Sequence, residues 1–102
     1  MVKDKLHKAA ELLIDAQNRC DRISLLPSSL QPVDLIEGYR IQDIVTEGSD
    51  IVGWKIAATS RAGQIHIGID HPIAGQLTSS CILHSGDTAV MTENLMLAAE
   101  AE

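Results

Sequence analysis

The residues Ile51-Val52-Gly53-Trp54-Lys55-Ile56-Ala57-Ala58-Thr59 decide how the chain is read. Their apolar character alternates, as in a strand whose successive side chains point to opposite faces. Val52, Trp54, Ile56 and Ala58 fall on one face, and this set predicts a core face. Ile51, Gly53, Lys55 and Ala57 fall on the other. There a lysine stands between two small residues, which leave space above it for a ligand or another backbone.

Downstream of this strand, Thr59 or Ser60 is placed to cap a short helix through Ile67, and Gly68 suits the left-handed position that closes it. Ile69-Asp70-His71-Pro72 reads as a turn in which the proline holds His71 extended. Short strands are expected over residues 76–83, 88–91 and 95–102, with His84-Ser85-Gly86-Asp87 as the turn between the first two.

Upstream, Pro32 suits the first turn of a helix, and Asp34 and Glu37 complement its N-terminal dipole. Leu35, Ile36, Tyr39, Ile41, Ile44 and Val45 surround most of that helix, which predicts packing on more than one side. Gly48-Ser49 ends it. Residues 21–31 form a connector broken at Pro27-Ser28-Ser29. Before it, Leu6, Ala9, Ala10, Leu13, Ile14 and Gln17 recur at helical spacing and predict an amphipathic helix over residues 4–18. The fold class is therefore α/β in the α+β sense. A helical region over 1–48 precedes an α/β region over 49–102, in one partial domain.

The chain has 102 residues and 45% hydrophobic content, enough for one modest core and too apolar for wholesale disorder. Tyr39 and Trp54 are its two aromatic residues, so that core rests on Leu, Ile, Val and Ala. A net charge of -6 without a Lys/Arg cluster excludes a nucleic-acid backbone as partner and an anionic membrane surface. No apolar run approaches membrane-spanning length, and the N-terminal residues have no signal-peptide core. Cys20 and Cys81 lie in no ligand spacing and read as reduced thiols, which places the chain in the cytoplasm.

The last residues, Ala99-Glu100-Ala101-Glu102, put two carboxylates on one face of an extended segment, within reach of one divalent ion. This E-x-E follows Gly53-Trp54-Lys55-Ile56-Ala57-Ala58-Thr59-Ser60, then Gly68-Ile69-Asp70-His71-Pro72 and Gly75-Gln76-Leu77. That order of pieces resembles the 2-keto-4-pentenoate hydratases, a branch of the fumarylacetoacetate hydrolase family. The first helix, the Pro32-Val33-Asp34 helix start and the Tyr39…Gln42-Asp43 helix extend the resemblance over most of the chain. Departures are Ala57, where the family usually has glycine, and His71, where it often has glutamate.

The resemblance implies short strands that begin a β-rich barrel, truncated here, since the family's third metal carboxylate and the rest of its barrel lie beyond Glu102. It implies a hydro-lyase that adds water to a 2-hydroxydienoic acid in aromatic-compound catabolism, with this portion inactive alone. Glu100 and Glu102 match the ligands of a Mg²⁺ or Mn²⁺ ion, which as a Lewis acid stabilises an enolate of the bound 2-oxo acid. Lys55 matches the active-site lysine, a point charge for the substrate carboxylate or enolate oxygen. Asp70 matches an acidic position that assists proton transfer, although an Asx-turn before His71-Pro72 explains it equally well. The resemblance further implies a homo-oligomer, or docking to a related hydratase or decarboxylase. Decarboxylation of 2-oxo-hexenedioates and hydrolysis of acylpyruvates share these motifs, and a non-catalytic interaction subunit is the reading from a different class. Thr59 and Ser60 read as helix caps, His7, His66 and His84 as surface residues, and no His/Cys spacing suggests zinc.

Overall fold

The computed structural model describes residues 4–95. Among the described residues the fold is mixed helix and strand, with a two-stranded antiparallel sheet. It divides into two compact units, residues 4–47 with 83–95, and Gly48–Ile82.

In the first unit, α1 (Lys5–Asn18) starts where Asp4 caps it, its side chain accepting the amide of His7. Helix α2 (Leu35–Val45) starts at Asp34, whose carboxylate accepts the Glu37 amide at 2.8 Å. The Glu37 carboxylate reaches back to the Val33 amide at 3.1 Å, so two otherwise unpaired amide donors are satisfied. Pro32 therefore precedes the cap, rather than occupying the helical first turn expected for it. The helix runs to Val45, and Thr46 caps its end by donating its hydroxyl to the Gln42 carbonyl at 3.0 Å.

The core of this unit is Ala9, Ala10 and Ile41, ringed by Leu6, Leu13, Leu26, Leu30, Ile44 and Val45. Two alanines on α1 let α2 approach closely, so a small core closes without aromatic bulk. Lys5 Nζ lies 2.8 Å from Glu37 Oε1 and ties the start of α1 to the start of α2. The expectation that α2 packs on several sides is not met. Ile41 is its one buried residue, and Ile36 is 65% exposed. Within the connector, Ser28–Leu30 makes a single 3-10 turn. The expected strand over residues 88–91 does not form, because Met91 opens a short helix, α4 (Met91–Asn94), closed by Leu95 in the left-handed region. There the Leu95 carbonyl accepts a 3.0 Å hydrogen bond from Arg22 in the connector. The His84–Asp87 turn forms as read: the Asp87 amide donates to the His84 carbonyl, and its carboxylate accepts the His84 amide at 2.7 Å.

In the second unit, β1 (Ile51–Ala57) pairs antiparallel with β2 (Ile73–Thr78). The strand stops two residues short of the expected Thr59 because Ala58 takes φ +58° and turns the chain. That turn delivers Ser60 to the start of α3 (Arg61–Ile67), where its hydroxyl accepts the Gly63 amide at 3.0 Å. Gly68 closes α3 at φ +77°, as its freedom from a Cβ allows. Strand β2 begins at Ile73, three residues before the expected start, since its pairing begins opposite Ala57 directly after Pro72. It ends at Thr78, where Ser79–Cys81 forms a 3-10 turn and Thr78 Oγ1 hydrogen-bonds Ser80 Oγ at 2.9 Å.

The predicted core face of β1 is uncovered. Val52, Trp54 and Ile56 are 53%, 55% and 51% exposed. Trp54 and Ile56 pair with Gln76 and Ala74 on one face, as alternation predicts, but a register shift between Ile51 and Gly53 puts Ile51 opposite Thr78 and breaks the predicted grouping at the start of the strand. Among the described residues the two-stranded sheet leaves the Trp54 face exposed.

Candidate functional site

Lys55 sits in the ladder directly opposite Gly75. Opposed residues of an antiparallel pair share a face. The lysine face therefore comprises Gly53, Lys55 and Ala57 from β1 with Leu77, Gly75 and Ile73 from β2. A Cβ on Gly53 would lie 3.7 Å from Leu77 Cδ1, so Leu77 leans across that glycine. Small residues thus flank Lys55 along its own strand and directly across from it. The expected space above the lysine gains a second wall position, Gly75, which the strand alternation of β1 alone does not reveal.

Asp70 lies three residues before β2, in the turn beyond the Ala57/Ile73 end of the ladder. Its carboxylate hydrogen-bonds the imidazole of His71, and this pairing lowers the Asp70 pKa below the ordinary aspartate value. The effect is local and solvent-screened, since Asp70 is 88% exposed. His71, read from sequence as loop chemistry, is therefore the side-chain partner of Asp70. The pair offers an imidazole with one ring nitrogen oriented by a carboxylate, an arrangement suited to carrying a proton.

Ala58 and α3 set the adjoining loop. The Ala58 carbonyl accepts a 3.1 Å hydrogen bond from the Gln64 side chain, which fixes the left-handed residue between strand and helix. Ser60 is a helix cap, as read, with its hydroxyl engaged by the Gly63 amide.

Glu100 and Glu102, the expected metal ligands, lie outside the described residues. Among the described residues, no three His, Cys, Asp or Glu side chains come together to hold a metal ion. The described part of the chain does not by itself fit a Mg²⁺ or Mn²⁺ ion, which takes several oxygen ligands. Among these residues Cys20 and Cys81 are free and exposed. Among the described residues no helix is long and apolar enough to cross a membrane.

The chain is similar to TodF product hydratase of Pseudomonas putida strain F1. The two are 28% identical over 102 residues, covering 95% of this chain and 38% of the relative. The match takes in the whole of β1, α3 and β2, the unit that carries Lys55 and Asp70. The chain thus spans about two-fifths of the length of the curated relative that it matches. No protein-family model matches the chain, and no solved structure does.

Proposed function

We propose that this chain is the N-terminal portion of a 2-keto-4-pentenoate hydratase-like enzyme, acting in the breakdown of aromatic compounds. The observation that carries the reading is the 28% identity to a hydratase over 95% of the chain. The substrate proposed is a 2-hydroxydienoic acid such as 2-hydroxypenta-2,4-dienoate, which gains one water to become 4-hydroxy-2-oxopentanoate.

Lys55 binds the substrate carboxylate or the developing enolate oxygen. The small residues Ala57 beside Lys55 and Gly75 opposite it leave room for that group at the ammonium. A fixed positive charge aimed at an oxygen where charge develops is worth most in a site from which water is excluded. Asp70 assists proton transfer through the turn that precedes β2. Glu100 and Glu102 are proposed as ligands of Mg²⁺ or Mn²⁺, which when bound supplies Lewis-acid charge. The other ligands and the remaining walls of the site are proposed to come from polypeptide corresponding to the part of the relative outside the match. By itself the 102-residue chain is proposed to be inactive.

A chimera tests the reading. The aligned portion of TodF product hydratase is replaced by this chain, and loss of the dienol absorbance of 2-hydroxypenta-2,4-dienoate is followed. Turnover supports the proposal. A folded chimera that leaves the dienol untouched overturns it.

A further inference from the structure

Strands β1 and β2 carry a single charged side chain between them, that of Lys55. The pairing is regular from Gly53 to Ala57, so Gly53, Ala57, Ile73, Gly75 and Leu77 share the lysine face. None of these five has a polar side chain. The lysine is thus one cation on an otherwise apolar patch of sheet.

The patch is not evenly open. Leu77 Cδ1 lies 3.7 Å from where a Cβ on Gly53 would stand, so the leucine lies over the Gly53 end. It is only half-buried there, and a bound group can still cover it. Ile73 stands at the other end, opposite Ala57. The low point between them is Gly75, directly across from Lys55. Leu77 is two residues from Gly75, about 7 Å along an extended strand. That is comparable to the length of a five-carbon acid. An acid whose carboxylate meets the Lys55 ammonium therefore brings the far end of its chain to Leu77. An apolar tail gains there by leaving water. A second carboxylate would lose hydration against the leucine and find no cation among the ladder residues of this face in return.

We propose that Leu77 is a specificity-determining residue of the Lys55 site, selecting a short acid with one carboxylate and an uncharged apolar tail over the matching diacid. This inference rests on the hydratase reading above and adds to it the residue that sets the substrate class.

The test uses two unreactive acids that differ at the end of the tail, 2-oxopentanoate and 2-oxopentanedioate. Each is measured as an inhibitor of dienol turnover by the hydratase chimera. The inhibition constant of 2-oxopentanoate is expected to be at least tenfold lower. Leu77→Lys is expected to move the ratio of the two constants at least tenfold toward the diacid. Ile65→Lys adds the same charge at a 66% exposed position on α3 and is expected to leave the ratio unchanged. Circular dichroism and melting of each variant separate altered selection from lost folding. Should Leu77→Lys not fold, Leu77→Ala decides: it is expected to weaken 2-oxopentanoate at least fivefold and 2-oxopentanedioate hardly at all.

Four results overturn the inference. They are an active chimera that binds the two acids alike or prefers the diacid, a ratio indifferent to a folded and active Leu77→Lys, a ratio moved equally by Ile65→Lys, and a Leu77→Ala change that weakens both acids equally or neither. Each leaves the hydratase reading standing, because the dienol is still consumed. A folded chimera that leaves the dienol untouched overturns that reading, and this inference falls with it.

Discussion

Lys55 and Gly75 face each other across the β1–β2 ladder, on the same side of the sheet. The pairing puts the smallest residue opposite the longest cation of the strand, and it yields a prediction that separates folding from chemistry. Valine suits a strand better than glycine. Gly75→Val is therefore expected to leave the melting temperature of the chain unchanged or higher. In the hydratase chimera the same change is expected to lower turnover at least tenfold, by filling space beside the lysine. Paired melts and dienol assays check both.

Ala58 occupies a conformation that disfavours any residue with a Cβ, at φ +58°. Left-handed backbone costs a non-glycine residue roughly 1–2 kcal/mol. Glycine removes that cost but gives more freedom to the unfolded chain. Ala58→Gly is expected to stabilise the chain by about 0.5–1 kcal/mol, measured by chemical denaturation. Destabilisation would show that Ala58 is not left-handed in solution.

Acid should loosen the helical unit through Glu37. Its pKa is lowered from the ordinary glutamate value, first by the hydrogen bond with Lys5 and then by the Val33 amide. A carboxylate depressed in the folded state contributes stability that is fully present above its unfolded pKa and is lost as pH falls through the folded pKa. Stability is therefore expected to fall from the ordinary glutamate range downward. Glu37→Gln should flatten that part of the profile and lower stability near neutral pH. Denaturation midpoints across acid pH for both proteins test the sign.

Trp54 is more than half exposed in this chain, so truncating it creates no core cavity. Trp54→Ala is expected to change the stability of the chain alone by less than about 1 kcal/mol. Sequence alternation alone would predict the several kcal/mol typical of a buried tryptophan. A loss of about 3 kcal/mol or more would mean that the face is covered in solution.

What the sequence discloses here follows the range of each interaction. Asp4, Ser60 and Gly68 act on amides and carbonyls within a few residues, so helix starts and stops are legible. Asp34 shows the limit of such signals: Pro32 is a good helix opener, but the reciprocal contacts of Asp34 and Glu37 move the start past it. The placement of Lys55 away from Trp54 and Ile56 follows from alternation, but the register shift between Ile51 and Gly53 at the start of β1 does not. Which face is covered depends on a second layer, and Gly75 opposite Lys55 depends on register. Neither is written in the strand itself. In sequence His71 reads as part of a turn because Pro72 follows it, and its pairing with Asp70 is visible only as geometry. Glu100 and Glu102, the clearest metal signal in the sequence, lie outside the described residues.

The central claim is that Lys55 is a substrate-binding cation of a hydratase-like site, and the chimera carrying Lys55→Ala tests it most directly. Removing a charge that stabilises a developing oxyanion is expected to reduce kcat by roughly 10²–10³-fold. Lys55 is exposed on the sheet, so the melting temperature should move by no more than a few degrees. Turnover unchanged by Lys55→Ala in an active, folded chimera would contradict the account.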